Sequence, residues 1–296
     1  YQIESVDESA VGDTHASAKA VLDATQNAAA DYVVKGFFGT KTASVDAGAD
    51  ARDIAAAYNL ISSTTGINAT AISKAKIGVQ ALDSNGATFT FTLQGKSSTS
   101  STVTATITST TDLTALKDAI NSVSGSTGIV ATLNSAKDGI FVTNEEGYDI
   151  IIGDVDSGAV TGTLRVNAME RDGTVDTTNR DLNGMTTGGD STAILGQVIL
   201  SGDKPFTVTP GNAANAFSAA ATSISSSLST VGNISIKTVS GATNAIAVLD
   251  GALSMISASR SKMGALQNRL NTTVDNLSTI ITKTEQARSR IEDADM

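Results

Sequence analysis

Apolar side chains recur in two rhythms along this sequence. Towards the C-terminus they fall at Ile246, Leu249, Leu253, Ile256, Met263, Leu270, Val274, Leu277, Ile281 and Ile291. Arg260, Gln267, Thr284 and Arg288 fill the other places of one unbroken spacing that alternates three and four. This is a heptad a/d pattern. No proline interrupts it, and Gly251 and Gly264 are its only glycines, each costing about 1 kcal/mol against alanine. The spacing predicts a helix over residues 243–291, about 70 Å long at 1.5 Å per residue. A helix with one apolar stripe needs another helix of similar length to cover it. Within the chain the best match is the short, alanine-rich stretch 16–30, so the cover is expected from outside this sequence or from another subunit.

The second rhythm fills residues 75–208, where strand-like runs alternate with turn signals. Asn85-Gly86, Asp138-Gly139, Glu146-Gly147 and Asp172-Gly173 each separate two such runs, and each predicts a hairpin. Residues 97–111, SSTSSTVTATITSTT, read as an exposed edge strand or a loop. An internal repeat is visible without gaps between residues 51–70 and 113–132. Asn59, Ser62, Thr65, Gly66, Ile67, Ala69 and Thr70 match Asn121, Ser124, Thr127, Gly128, Ile129, Ala131 and Thr132. Each copy reads as a short amphipathic helix, a glycine turn and a strand. Two copies do not define a solenoid, so the reading is a duplicated α+β module.

Composition narrows the function. The chain has 296 residues and is 40% apolar but only 4% aromatic. Its net charge of −10 and the lack of any Lys/Arg cluster set it against binding nucleic-acid phosphates. With no cysteine there is no disulfide, thiolate metal site or cysteine nucleophile. No apolar run reaches the length of a membrane span, and Tyr1-Gln2-Ile3-Glu4 does not open a signal peptide.

Motifs of reactive chemistry give nothing to build on. The one histidine, His15, reads as a surface residue. Asp154 to Gly158, DVDSG, lacks the further ligands of a calcium loop. Thr186 to Asp190, TTGGD, has no following Lys-Ser/Thr, so it is not a phosphate loop. The Asn-x-Ser/Thr matches at Asn68, Asn233, Asn271 and Asn276 are what a Ser/Thr-rich chain produces by chance. No catalytic, cofactor or metal residue is assigned. An unmatched apolar helix on an acidic chain without a reactive centre points to an assembly protein.

The C-terminal residues carry a family resemblance. SMISASRSKMGALQNRLNTTVDNLSTIITKTEQARSRIEDADM, from Ser254 to Met296, resembles the C-terminal core helix of bacterial flagellin, most specifically in SRSKMGALQNRL and ARSRIEDADM. VSGATNAIAVLDGAL resembles the segment leading into it. TTGINAT and STGIVATL are similar to a short motif of the variable regions of flagellins and hook-associated proteins. The resemblance implies an α+β protein in which residues 1–238 form a variable, surface-exposed region of two subdomains and 239–296 a coiled-coil-type core helix. It also implies a structural subunit of the flagellar filament, extracellular and exported by the flagellar apparatus without a cleaved signal peptide.

On this reading the stripe faces an N-terminal helix that the sequence does not contain. Arg260, Lys262, Gln267, Asn268, Arg269, Arg288, Arg290, Glu292 and Asp293 are left for neighbouring subunits or for Toll-like receptor 5. The stem of Arg288, at a stripe position, packs while its head reaches a carboxylate. Lacking the terminal helices of the family, the chain is expected not to polymerise by itself. Two alternatives stay open: a hook–filament junction protein, and an adhesin or glycan-binding homologue. The aromatics available for the latter are Tyr32, Phe37, Phe38, Phe89, Phe91, Phe141, Tyr148 and Phe206, which core packing explains as well.

Overall fold

The computed structural model describes residues 2–4, 9–12, 18, 30–82, 86–158, 162–183, 190–211, 217, 222–237 and 239–294. The chain divides into two compact units, residues 1–245 and 246–296. In chain order the first carries β1 (Gln2–Glu4), β2 (Ser9–Gly12), β3 (Ala30–Lys35), β4 (Thr40–Val45), α1 (Ala51–Leu60), α2 (Ser62–Thr65) and β5 (Ile67–Ala81). There follow β6 (Ala87–Gln94), β7 (Ser101–Ile107), α3 (Thr114–Ser122), α4 (Ser124–Thr127), β8 (Val130–Leu133), β9 (Ile140–Asn144) and β10 (Ile150–Asp156). The last strands are β11 (Thr163–Ala168), β12 (Arg180–Leu182), β13 (Ser191–Ile194), β14 (Gln197–Gly202), β15 (Thr207–Pro210) and β16 (Ile224–Ser225). One helix, α5 (Val239–Ala294), follows them.

The strands form three antiparallel sheets. One runs β1-β14-β5-β11-β12, with β9 added to β5 and β8 to β9; the others are β2-β13-β10-β6-β7 and β16-β15-β3-β4. Alternation explains their faces. In β6 the residues Ala87, Phe89, Phe91 and Leu93 point inward, as do Val103, Ala105 and Ile107 of β7. Threonines take the other face, where Thr88 meets Thr106 at 2.9 Å. The Ser/Thr-rich run therefore contains a strand, β7, at the end of its sheet. Two cores result. One gathers Tyr32, Val34, Ile54, Tyr58, Val198 and Leu200. The other gathers Ile77, Phe89, Phe91, Leu116, Ile120 and Ile129.

Two of the four predicted hairpins form. β8 pairs with β9 across Asp138-Gly139, and β11 with β12 across Asp172-Gly173. The other two are corrected. β5 spends its edges on β14, β11 and β9, so the Gly86 turn hands the chain to a different sheet; Asn85 lies outside the described residues. Gly147 likewise separates β9 and β10, which lie in different sheets. Both glycines have positive φ, 81° and 80°, so the turn chemistry is present without the pairing.

The repeat is a pair of matching local structures. In each, a helix, a single short turn of helix and a left-handed glycine (Gly66, φ 75°; Gly128, φ 69°) lead into a strand. The Asn59 amide donates to the Ala69 carbonyl at 2.9 Å and accepts from the Ala69 N–H at 2.8 Å. Asn121 does the same with Ala131 at 2.9 and 2.8 Å. The Thr65 and Thr127 hydroxyls each donate to the carbonyl four residues back, at 3.0 Å. The likeness extends upstream of the aligned residues, because a hairpin precedes each helix pair: β3–β4 before α1, and β6–β7 before α3. Near the C-terminal end of the unit, the N–H of Gln2 donates to the Ser227 carbonyl at 2.9 Å and the N–H of Ser227 to the Gln2 carbonyl at 3.0 Å. The Ser229 hydroxyl adds a bond to the Gln2 side-chain oxygen at 2.9 Å.

The α+β class read from the sequence is what the structure has: short helices within a β-rich region, then one long helix. That helix starts earlier and ends later than predicted and has 56 residues, about 84 Å at 1.5 Å per residue.

Candidate assembly surface

Helix α5 forms because nothing breaks its backbone ladder and its polar side chains serve it. Thr272, Thr273, Thr279, Thr282 and Thr284 each return their hydroxyl to the carbonyl four residues earlier. This satisfies the hydroxyl without leaving the helix. Arg288 Nε lies 3.4 Å from Glu292 Oε1, an exposed pair one turn apart, worth only a few tenths of a kcal/mol.

The stripe is exposed throughout. Leu270 keeps 57% of its surface and Leu277 53%, and Ile246, Leu249, Leu253, Ile256, Met263, Val274, Ile281 and Ile291 are exposed as well. Arg260, Lys262, Gln267, Asn268, Arg269, Arg290 and Asp293 are exposed too. The structure thus places the sequence-assigned residues along one exposed helix.

Three exposed large apolar residues of α5 lie outside the a/d reading: Met255, Leu266 and Ile280. Leu266 and Ile280 are fourteen residues apart, each four before a stripe position (Leu270, Thr284). They occupy the heptad place beside the seam and widen it from a narrow two-stranded strip toward the face of a helix with more than one neighbour. The same heptad count extended to every position would have found them.

Elsewhere the sequence motifs resolve into turns. His15, the 16–30 stretch apart from Ala18 and Ala30, most of TTGGD, and Met296 lie outside the described residues. In DVDSG the Asp156 carboxylate accepts from the Gly158 N–H at 2.8 Å, and Asp154 accepts from Thr92 Oγ1 at 3.3 Å. Among the described residues no three of His, Cys, Asp and Glu are placed to hold a metal. No described helix is long and apolar enough to cross a membrane. The perturbed ionisable groups serve structure. Lys74 Nζ donates to the Arg171 carbonyl at 3.0 Å, and burial lowers its pKa, partly offset by Glu145. The Arg165 guanidinium forks onto Asp181 at 2.6 and 2.7 Å and holds that carboxyl below its ordinary value.

The described residues thus form a β-rich body followed by a long helix whose apolar stripe is exposed. Comparison makes this specific. Residues 246–296 match the family described as bacterial flagellin C-terminal helical region, and residues 88–146 match the flagellin hook IN motif. The B-type flagellin of Pseudomonas aeruginosa is 34% identical over 189 residues, 64% of this chain and 38% of that protein. The polar flagellin A of Vibrio parahaemolyticus is 42% identical over 66 residues, 22% of this chain and 18% of that one. Flagellin A of Vibrio cholerae is also 42% identical over 66 residues, 22% of this chain and 17% of the relative. These two segments and these relatives make the chain similar to bacterial flagellins. The chain matches well under half the length of these relatives. The flagellar cap protein FliD of Escherichia coli aligns in structure over 47% of this chain and 56% of its own, with a TM-score of 0.19 and 14% identity, too low to carry an argument.

The hook IN match begins in β6 and ends just after β9, so it covers the second of the two matching modules. The first module, from β3 into β5, repeats its hairpin, helix pair, left-handed glycine and Asn–Ala clamp.

Proposed function

We propose that this chain supplies part of a structural subunit of the flagellar filament, an extracellular appendage, with α5 as a packing helix of the filament core. The observation that carries the reading is the exposed stripe on α5, in the segment that matches the flagellin C-terminal helical region. Transfer of a large apolar side chain from water to a helix interface contributes roughly 1.5–3 kcal/mol. Ten such positions side by side make an exposed apolar surface that a solitary helix does not need. The partners on this reading are other flagellin subunits. Residues 239–296 are the core segment and 1–238 the variable, solvent-facing region, with export through the flagellar secretion apparatus. The polar residues from Arg260 to Asp293 are the contacts left for neighbours, and the same row is what Toll-like receptor 5 would meet.

The test is the full-length protein carrying Leu270→Asp and Leu277→Asp. Both side chains are more than half exposed, so the β-rich unit should melt as in the parent. Negative-stain microscopy should find no filaments. Filaments of normal length from the double variant would overturn the reading.

A further inference from the structure

Four of the eight aromatics that a binding surface could use are spent in the cores, Tyr32, Phe89, Phe91 and Phe206, and Phe141 and Tyr148 are half-buried. Phe37 and Phe38 are neither. They form the tip of the β3–β4 hairpin, 66% and 73% exposed, with ring centroids 5.3 Å apart at 75°. Lys204 Nζ stands 5.9 Å from the Phe37 ring, and exposed Lys35 and Lys41 flank the tip along the hairpin.

The duplicated module supplies an internal control for what the fold itself requires there. Gly36 and Gly95 occupy the same place at the end of each first strand. A Cβ on either would run into the carbonyl oxygen of the matching threonine, 1.9 Å from Thr65 and 2.4 Å from Thr127. The residue covering the left-handed glycine is Phe38 over Gly66 in one module and Lys96 over Gly128 in the other. In the second module that cover is a lysine whose Nζ bonds Glu146 at 2.7 Å, and the tip continues as Ser97-Ser98-Thr99-Ser100. The module therefore closes with a polar tip. The Phe37–Phe38 pair exceeds what the fold needs, and two adjacent exposed phenylalanines are an unfavourable surface in water without a contact to make.

We infer that the Phe37–Phe38 tip, with Lys35, Lys41 and Lys204 around it, is a docking point for a second copy of this chain; the choice of occupant rests on the filament reading above. Charge complementarity selects it. The tip carries three lysines against one exposed acid, Asp203 beside Lys204, on a chain with 30 acidic and 20 basic residues and a net charge of −10, so the general surface of another copy attracts it electrostatically. Two tips facing each other would set lysine against lysine. The contact is thus between unlike patches, tip on one copy and acidic surface on the next. Unlike-patch contacts propagate along open helical arrays.

The experiment places Phe37→p-benzoylphenylalanine in the full-length protein, irradiates it in its assembled state and maps adducts by mass spectrometry, with Ser98→p-benzoylphenylalanine as the control tip. The expected result is an adduct between two copies, landing on an Asp/Glu-bearing peptide outside residues 30–45. Its yield should fall at least about tenfold when Lys35, Lys41 and Lys204 are all changed to Glu, because like charges now face each other. Adducts only within one copy, adducts to a different protein, a lipid or a glycan, equal yield from position 98, or no adduct would overturn the proposal. If the unsubstituted full-length protein forms no filaments, the filament reading fails separately. The same adduct assay on the concentrated soluble protein then decides the tip, where a copy-to-copy adduct supports it and its absence overturns it.

Discussion

Asn121→Ala should unfasten the second module at one identifiable point. The side chain of Asn121 holds both backbone groups of Ala131 in β8, donating to the carbonyl at 2.9 Å and accepting from the N–H at 2.8 Å. A residue's N–H and C=O point to the same side of a strand, so this amide takes the place that a neighbouring strand would fill. Each such hydrogen bond contributes about 1 kcal/mol net, and a buried group left unpaired costs about 1–3 kcal/mol. Ala131 is only 3% exposed, which limits rescue by water. Together these give a loss of about 2–4 kcal/mol. Urea unfolding should show a lower midpoint at unchanged slope, and hydrogen exchange should show lost protection at the Ala131 amide. Asn59→Ala should lose a similar amount through Ala69, because its two bonds have the same lengths. Asn121→Asp sharpens the test. Its ionised carboxylate would face the Ala131 carbonyl, so folding should raise its pKa and stability should recover as pH falls and the acid can donate. A midpoint equal to that of the parent for both alanine variants, or protection retained at Ala131, would refute the reasoning.

Two further outcomes follow from buried and paired groups. Tyr58 is fully buried against Tyr32 and Phe217, its hydroxyl has no partner among the described residues, and burial raises its pKa; Tyr58→Phe should therefore raise stability by about 1 kcal/mol, seen as a higher melting temperature. Asp172, held by the Thr174 backbone and side chain, and Asp181, held by Arg165, have folded pKa values below the ordinary 3.8. Their stabilisation is present above 3.8 and is lost as pH falls through the lower folded values. Asp181→Asn should flatten part of that acid limb in a pH series of urea midpoints, by no more than about 1 kcal/mol for so exposed a pair.

The long helix was legible because its signal is local: the three-four spacing needs no knowledge of what lies across from it. The turns were legible for the same reason, since Gly147 and Gly173 have the positive φ their positions suggest. Partner choice was not. Glu146-Gly147 carries a turn signature, yet Gly147 is packed beside Ala71, and its carbonyl accepts from the Arg52 N–H at 3.1 Å. The 15-residue β5 collects strands from far along the chain, and no window of sequence displays that. The repeat lay between these cases. Its matched Asn and Ala, ten residues apart in both copies, were visible, but their amide clamp was not. Nor did the sequence separate exposed Phe37 and Phe38 from buried Phe89 and Phe91, because each pair sits in a strand-like run and burial depends on which sheet face is covered.

The bonds between Gln2 and Ser227 bring two points more than two hundred residues apart in sequence to a single neck. The intervening chain leaves from and returns to one place, so its length does not set the distance between these two points. Strands and modules could be added, exchanged or removed beyond the neck without moving Gln2 away from Ser227. The body is in that sense a cassette, closed by its own hydrogen bonds.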